Sequence, residues 1–164
     1  MRRIKRKKIC VVTGSRADYY LLKNLITHLK KSKKFELSVL ITGQHLSKKY
    51  GNTSQYIKKE FGNICKFINV NVAKTNSISI LSTIGTGVNK IGKYLESTKP
   101  FMIILLGDRY EIFSAAIASL YSNSIIGHIQ GGEITVGSFD DTIRHSITKF
   151  SDYHFVSTEI YKKR

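Results

Sequence analysis

What most constrains this chain is a repeated alternation of short, unbroken apolar runs with longer stretches of helical periodicity. The runs, rich in β-branched residues, are Ile9–Thr13, Phe35–Thr42, Ile64–Val70, Phe101–Leu106, Ile125–Ile129 and Tyr153–Ser157. Several lack the in–out alternation of a strand with one wet face. An uninterrupted apolar run suits a strand covered on both faces, as inside a parallel sheet. Between the runs, Tyr19–Lys30 places Leu22, Leu25, Ile26 and Leu29 at i, i+3, i+4 and i+7, one apolar stripe of a helix. Ile78–Leu95, Glu111–Tyr121 and the shorter Asp140–Phe150 read the same way. Parallel neighbours need a crossover, and a helix is the usual one. The order therefore predicts an α/β domain, doubly wound, with a mainly parallel six-stranded sheet between helices.

At 164 residues the chain has room for one domain and not for two full-sized ones. Its 41% hydrophobic and 23% charged content is that of a globular protein, which excludes wholesale disorder. Two cysteines, Cys10 and Cys65, exclude a disulfide scaffold and a four-cysteine zinc site. Both lie in apolar runs, where a thiol is a small hydrophobe in a reducing compartment. No apolar stretch reaches the ~20 residues that cross a bilayer. The segment behind the basic N-terminus is too short for a signal-peptide core. The expectation is a soluble, cytoplasmic protein with no membrane partner.

Lys+Arg 27 against Asp+Glu 11 leaves a formal charge of +16. Arg2, Arg3, Lys5, Arg6, Lys7 and Lys8 crowd a basic tail, residues 1–8, ahead of a domain spanning residues 9–164. Such an excess favours polyanions in general. Lysine far outnumbers arginine, however, and no aromatics interleave with arginines as on an RNA-binding sheet. The charge is read as compositional drift plus a solvated tail, not as a nucleic-acid footprint.

Each expected strand exits into a glycine-rich or charged segment: Gly14-Ser15-Arg16-Ala17-Asp18, Gly43-Gln44-His45, Gly107-Asp108-Arg109 and Gln130-Gly131-Gly132-Glu133. In an open α/β sheet ligands bind beyond the carboxyl ends of the strands. A glycine there admits a ligand, and a helix N-terminus offers N–H groups to an anion. Gly14-Ser15-Arg16 is not the dinucleotide fingerprint. Asp108 at a buried strand end suits a general base or a group facing positive charge, with Arg109 as a phosphate partner. It equally suits the cap of the next helix, with Arg109 in solvent. His45 has the chemistry for proton transfer near neutral pH. Asp140 and Asp141 open a helix, where they would serve as cap and dipole partner. Asp108, Glu133 and Asp140 together bring three carboxylates to one edge, able to divide acid and base roles. No compact spacing of His, Cys or acidic residues supports a metal site.

At these residues the chain resembles a known family. VVTGSRADYYLLKNL, ITGQHLSKKYGNT, LLGDRYEIFSAA, HIQGGE and DDTIRHSITKFSDYHFVSTEIYKKR, in this order, look like the N-terminal half of hydrolysing UDP-N-acetylglucosamine 2-epimerases of sialic-acid and legionaminic-acid biosynthesis. The resemblance implies a Rossmann-like domain, one half of a glycosyltransferase-B-like two-domain fold. It also implies conversion of UDP-N-acetylglucosamine and water to N-acetylmannosamine and UDP through a 2-acetamidoglucal, with neither metal nor nicotinamide cofactor. The UDP-sugar is then the partner, and the full-length enzyme a homo-oligomer. Carried over by motif, Asp108 and Asp140 match catalytic carboxylates, Arg16 and His45 match substrate contacts, and Arg109 lies beside Asp108.

Two departures accompany the resemblance. Gln130 stands where many relatives have a catalytic Glu, so Glu133, three residues on, is the candidate to compensate, or the substrate differs. The family's second domain is absent, and the chain stops one turn into an expected helix at Thr158-Glu159; a truncated chain, inactive alone, is expected. A UDP-2,4-diacetamido sugar as substrate, or a non-catalytic module binding nucleotide sugars or polyanions, stand as the alternatives.

Overall fold

A computed structural model describes residues 6–70 and 76–163. The six strands are β1 (Lys7–Thr13), β2 (Phe35–Ile41), β3 (Cys65–Phe67), β4 (Met102–Leu106), β5 (Ile125–Ile129) and β6 (Tyr153–Phe155). The helices are α1 (Arg16–Lys31), α2 (Ser54–Phe61), α3 (Ser77–Thr98), α4 (Tyr110–Leu120), α5 (Phe139–Phe150) and the single turn α6 (Glu159–Lys162). All strand pairs are parallel, in the order β3-β2-β1-β4-β5-β6. The chain starts mid-sheet, winds outward to β3, returns through α3 and winds the other way from β4. The expected doubly wound sheet is present, and it is wholly parallel.

The unbroken apolar runs serve two cores at once, because successive strand residues face opposite sides. Cys10, Val12, Leu40, Ile103 and Leu105 meet α3, α4 and α5 through Ile91, Leu95, Ile112, Ala115, Ile143 and Ile147. Ile9, Val11, Val39, Ile41, Ile104 and Leu106 meet α1 and α2 through Tyr19, Leu22, Ile26, Ile57 and Phe61. Both cysteines are buried free thiols. Burial pushes the Cys10 thiol up to about 11, so it is inert packing.

The differences from the sequence reading are local. Of the basic tail, residues 1–5 lie outside the described residues, and Lys7 and Lys8 already belong to β1. Helix α2 was not anticipated: Ser-Gln-Tyr-Ile-Lys-Lys-Glu-Phe has two buried apolar side chains, Ile57 and Phe61. Tertiary contacts hold it, since an isolated eight-residue helix is marginal. Tyr19 donates to Glu60 Oε2 at 2.5 Å and Lys23 pairs with Glu60 Oε1 at 2.7 Å, fastening α2 to α1. Among the described residues no helix is long and apolar enough to cross a membrane.

Candidate active site at the carboxyl edge of the sheet

Because every strand points the same way, His45 after β2, Asp108 after β4 and Gln130 after β5 lie along one edge. The winding reverses between β1 and β4, the position outside which ligands bind in open α/β sheets. The residues along this edge fall into two groups.

The first group surrounds the turn after β1. Ser15 caps α1: its hydroxyl accepts from Asp18 N, and Asp18 Oδ2 accepts from Ser15 N at 2.9 Å and Gly14 N at 3.2 Å. The amides of Gly14, Ser15 and Asp18 therefore serve the cap. Burial raises the Asp18 carboxyl above the usual range, opposed by Ser15 and Arg109. His45 is fully buried, its Nε2 3.0 Å from Thr13 Oγ1 and its Nδ1 2.6 Å from Thr53 Oγ1. Burial, reinforced by the Arg109 charge, pushes its pKa down to about 4, so the ring is neutral at pH 7. Arg109 lies 2.7 Å through Nε from Glu111 Oε1, not in solvent as a capping role for Asp108 would leave it. Burial alone would disfavour the Arg109 charge, but Glu111, Asp18 and Asp108 hold its pKa above the usual value. Arg16, the first residue of α1, is exposed.

The second group surrounds the turns after β4 and β5. Asp108 is not a helix cap; Arg109 occupies that position. Instead Asp108 Oδ2 accepts a short charge-assisted hydrogen bond from Arg144 Nη2. Arg144 Nη1 also donates to Glu133 O and Thr135 Oγ1, both at 3.0 Å. One guanidinium thus ties Asp108 to the glycine turn after β5. His128, buried in β5, lies 2.8 Å through Nε2 from Gly107 O, steadying the residue before Asp108; burial lowers its pKa. Gln130 takes a left-handed conformation, φ 62°, and its backbone N–H donates to Phe155 O. Glu133 Oε1 accepts from Ser157 Oγ at 2.9 Å. Ser138 caps α5, which leaves Asp140 exposed in the first turn.

The structure thus brings Asp108 and the Glu133 backbone together through Arg144, and Arg109 together with Glu111 and Asp18. Asp140 and Arg16 stand at the same edge without side-chain partners among the described residues. Glu111, Arg144 and His128 were not among the sequence candidates. The available signal for Glu111 was an acidic residue in a helix otherwise as apolar as Tyr-Glu-Ile-Phe-Ser-Ala-Ala-Ile. Among the described residues no group of three or more His, Cys, Asp or Glu side chains could hold a metal ion.

Residues 27–164 match the family model described as UDP-N-acetylglucosamine 2-epimerase. The chain belongs to this family. It is 42% identical over 158 residues to the polysialic acid biosynthesis protein P7 of Escherichia coli, covering 96% of this chain and 40% of that protein. It is also 42% identical over 159 residues to the GDP/UDP-N,N'-diacetylbacillosamine 2-epimerase (hydrolyzing) of Campylobacter jejuni, covering 97% of this chain and 41% of the relative. A crystal structure of a UDP-N-acetylglucosamine 2-epimerase superposes with a TM-score of 0.82 at 20% identity, over 97% of this chain and 44% of the other. That likeness shows a shared fold: the sheet is a Rossmann-like half of the glycosyltransferase-B-like architecture of these enzymes. The chain spans about two fifths of the length of the relatives it matches.

Proposed function

We propose that this chain is the N-terminal domain of a hydrolysing UDP-N-acetylglucosamine 2-epimerase, requires a second domain for turnover, and carries the sugar-facing carboxylates and part of the diphosphate site. The observation that carries this reading is the convergence of Asp108, held by Arg144, with Arg109 at the reversal of the sheet. In the proposed reaction a base removes the proton on C2 while UDP departs from C1 with the bonding electrons, leaving a 2-acetamidoglucal. Water then adds its oxygen to C1, and a proton returns to C2 from the other face, giving N-acetylmannosamine. Asp108 faces the positive charge that develops on the sugar as the C1–O bond breaks, and Arg109 and Arg16 face the departing diphosphate. Glu133 and Asp140 are the further carboxylates assigned to the sugar side, and Gln130 orients sugar or water without taking a proton. His45, neutral, is a hydrogen-bonding contact. The chain alone leaves half of such a cleft open to water, which weakens every electrostatic contribution.

The identity to the Campylobacter relative favours a second reading, a UDP-2,4-diacetamido sugar as substrate. Incubating UDP-N-acetylglucosamine and its 2,4-diacetamido analogue with this chain, with and without the C-terminal portion of a relative fused to it, tests both. UDP release from one sugar by the fused form, and little by the chain alone, is the expected result. No release from either sugar by a folded fusion would overturn the enzymatic reading and leave a binding module.

A further inference from the structure

The turns after β1 and β2 pack against a charged group that the proposed reaction does not use. Glu111 sits in the first turn of α4 with its side chain 0% exposed. Oε1 accepts from Arg109 Nε, whereas Oε2 is buried and has no partner among the described residues. Burying a carboxylate with one oxygen unserved is costly, and apolar packing would do the structural work better. The neighbouring turns have nevertheless made room for it. A Cβ on Gly14 would fall 2.7 Å from Glu111 Cγ, and one on Gly43 would fall 2.8 Å from Glu111 Cδ. Both β1 and β2 thus exit through glycines against this one side chain. On the other side of the pair, Arg109 uses Nε alone, and its two Nη groups make no hydrogen bond among the described residues.

We propose that Glu111 is a positioning residue: it fixes the Arg109 guanidinium through Nε and leaves the Nη groups for a diphosphate at the reversal of the sheet. A guanidinium presents its donors in a rigid fork, so fixing one edge sets the direction of the other. Preorganisation matters more here than net attraction, because Glu111 is itself an anion beside the one to be bound. The alignment stands on the geometry. That the diphosphate belongs to a nucleotide rests on the reading under Proposed function.

This opposition of charge and alignment makes the sign of the test informative. Glu111→Met keeps the length of the side chain and removes both the charge and the acceptor. Glu111→Gln keeps an acceptor. Binding of inorganic pyrophosphate and of UDP to the fused two-domain form would be measured by calorimetry. The Arg109 Nε–Hε signal would be followed by NMR. Glu111→Met is expected to weaken both ligands about tenfold although it removes a negative charge, Glu111→Gln by no more than about threefold, and Glu111→Met in an Arg109→Ala background not at all. The Nε–Hε signal should be protected from exchange in the parent and in Glu111→Gln and lost in Glu111→Met. Equal or tighter binding by Glu111→Met overturns the proposal, as does an equal loss in the Arg109→Ala background. An unprotected Nε–Hε in the parent overturns it without any variant having to fold. Binding of pyrophosphate but not UDP removes the nucleotide reading and keeps the positioning role; binding of neither overturns both.

Discussion

On the β1–β2 side of the edge, buried polar side chains are held from two directions, His45 between Thr13 and Thr53 and Asp18 on the amides of Gly14 and Ser15, and the half-buried Arg109 is held by Glu111. On the β5–α5 side, Gln130 and Glu133 are half-buried and Asp140 is exposed. Beside them Ile134, Val136 and Phe139 are 43%, 93% and 70% exposed. The cause is topological. The central turns pack against the first turn of α4 through Gly14 and Gly43, whereas the outer groups sit in the connection between β5 and α5, residues 130–138. The central side can therefore be preorganised within this chain. The outer side presents polar groups next to exposed apolar ones, a surface of the kind that a partner covers. On the proposed reading, the second domain closes over that side.

The largest expected effect falls where the two sides meet. In the fused two-domain form, Asp108→Asn should lower turnover by roughly a hundred- to thousandfold, about 3–4 kcal/mol, while UDP affinity stays within about threefold. Asparagine keeps the shape and loses the charge that faces the sugar. Turnover within threefold of the parent would return Asp108 to a purely structural partner of Arg144.

A matched pair of glycine substitutions separates the sides by stability. Gly14→Ala drives a methyl into the buried Glu111 side chain, with a cost of about 3 kcal/mol. Gly131→Ala meets Thr148 Oγ1 at 2.8 Å and His128 Nδ1 at 2.9 Å; the half-buried threonine can rotate away and the buried His128 ring must shift slightly, so the cost should be about 2 kcal/mol. Urea unfolding of both reads the difference, and equal costs would mean that the outer side is as rigid as the central one.

These contrasts also mark what the amino-acid sequence made legible. Runs such as Phe101–Leu106 announced buried strands because both faces of such a strand must be apolar, and parallel order then placed His45, Asp108 and Gln130 at one edge. Glu111 was not legible, because an acidic residue in a helix's first turn reads as a dipole partner in water. Its burial depends on Gly14 and Gly43, which only the fold brings to it. Arg144 was hidden for a similar reason: within Asp-Asp-Thr-Ile-Arg-His it reads as a solvated face until α5 docks over Asp108. Helix α2 was missed because its lysines hide two inward side chains, Ile57 and Phe61.

A smaller effect is expected from pH. Burial holds His45 at a pKa of about 4 in the folded state, below the ordinary value of 6.5, so the unfolded chain binds the proton more readily. Stability from this group is complete above pH 6.5 and is lost as pH falls toward 4, by about 1.5–2 kcal/mol between pH 6.5 and 5. Burial lowers the His128 pKa as well, giving the same sign, whereas burial raises Asp18, giving the opposite sign at lower pH. His45→Gln should therefore flatten the stability-against-pH curve in this window without abolishing its slope. An unchanged slope would show that the central side opens readily to water.

The smallest effect tests the outer side. Gln130 occupies a left-handed backbone position that neither Gln nor Glu prefers, so Gln130→Glu leaves the backbone strain unchanged and alters only charge. The new carboxylate would join Asp108, Glu133 and Asp140 on one edge, with Arg144 already committed to Asp108. Like charges in this setting raise one another's pKa, which argues against a gain. If Glu133 already supplies the proton chemistry, the fused form should lose no more than about fivefold in turnover, roughly 1 kcal/mol, on its preferred sugar. If Gln130 stands in an otherwise incomplete site, the same change should raise turnover on UDP-N-acetylglucosamine. Comparing the two UDP-sugars in parallel distinguishes these outcomes, because a substrate-specific role for the amide would make Gln130→Glu lower turnover on the diacetamido sugar alone. A rise on UDP-N-acetylglucosamine would place a proton-transfer position on the exposed side of the edge and remove Glu133 from that role.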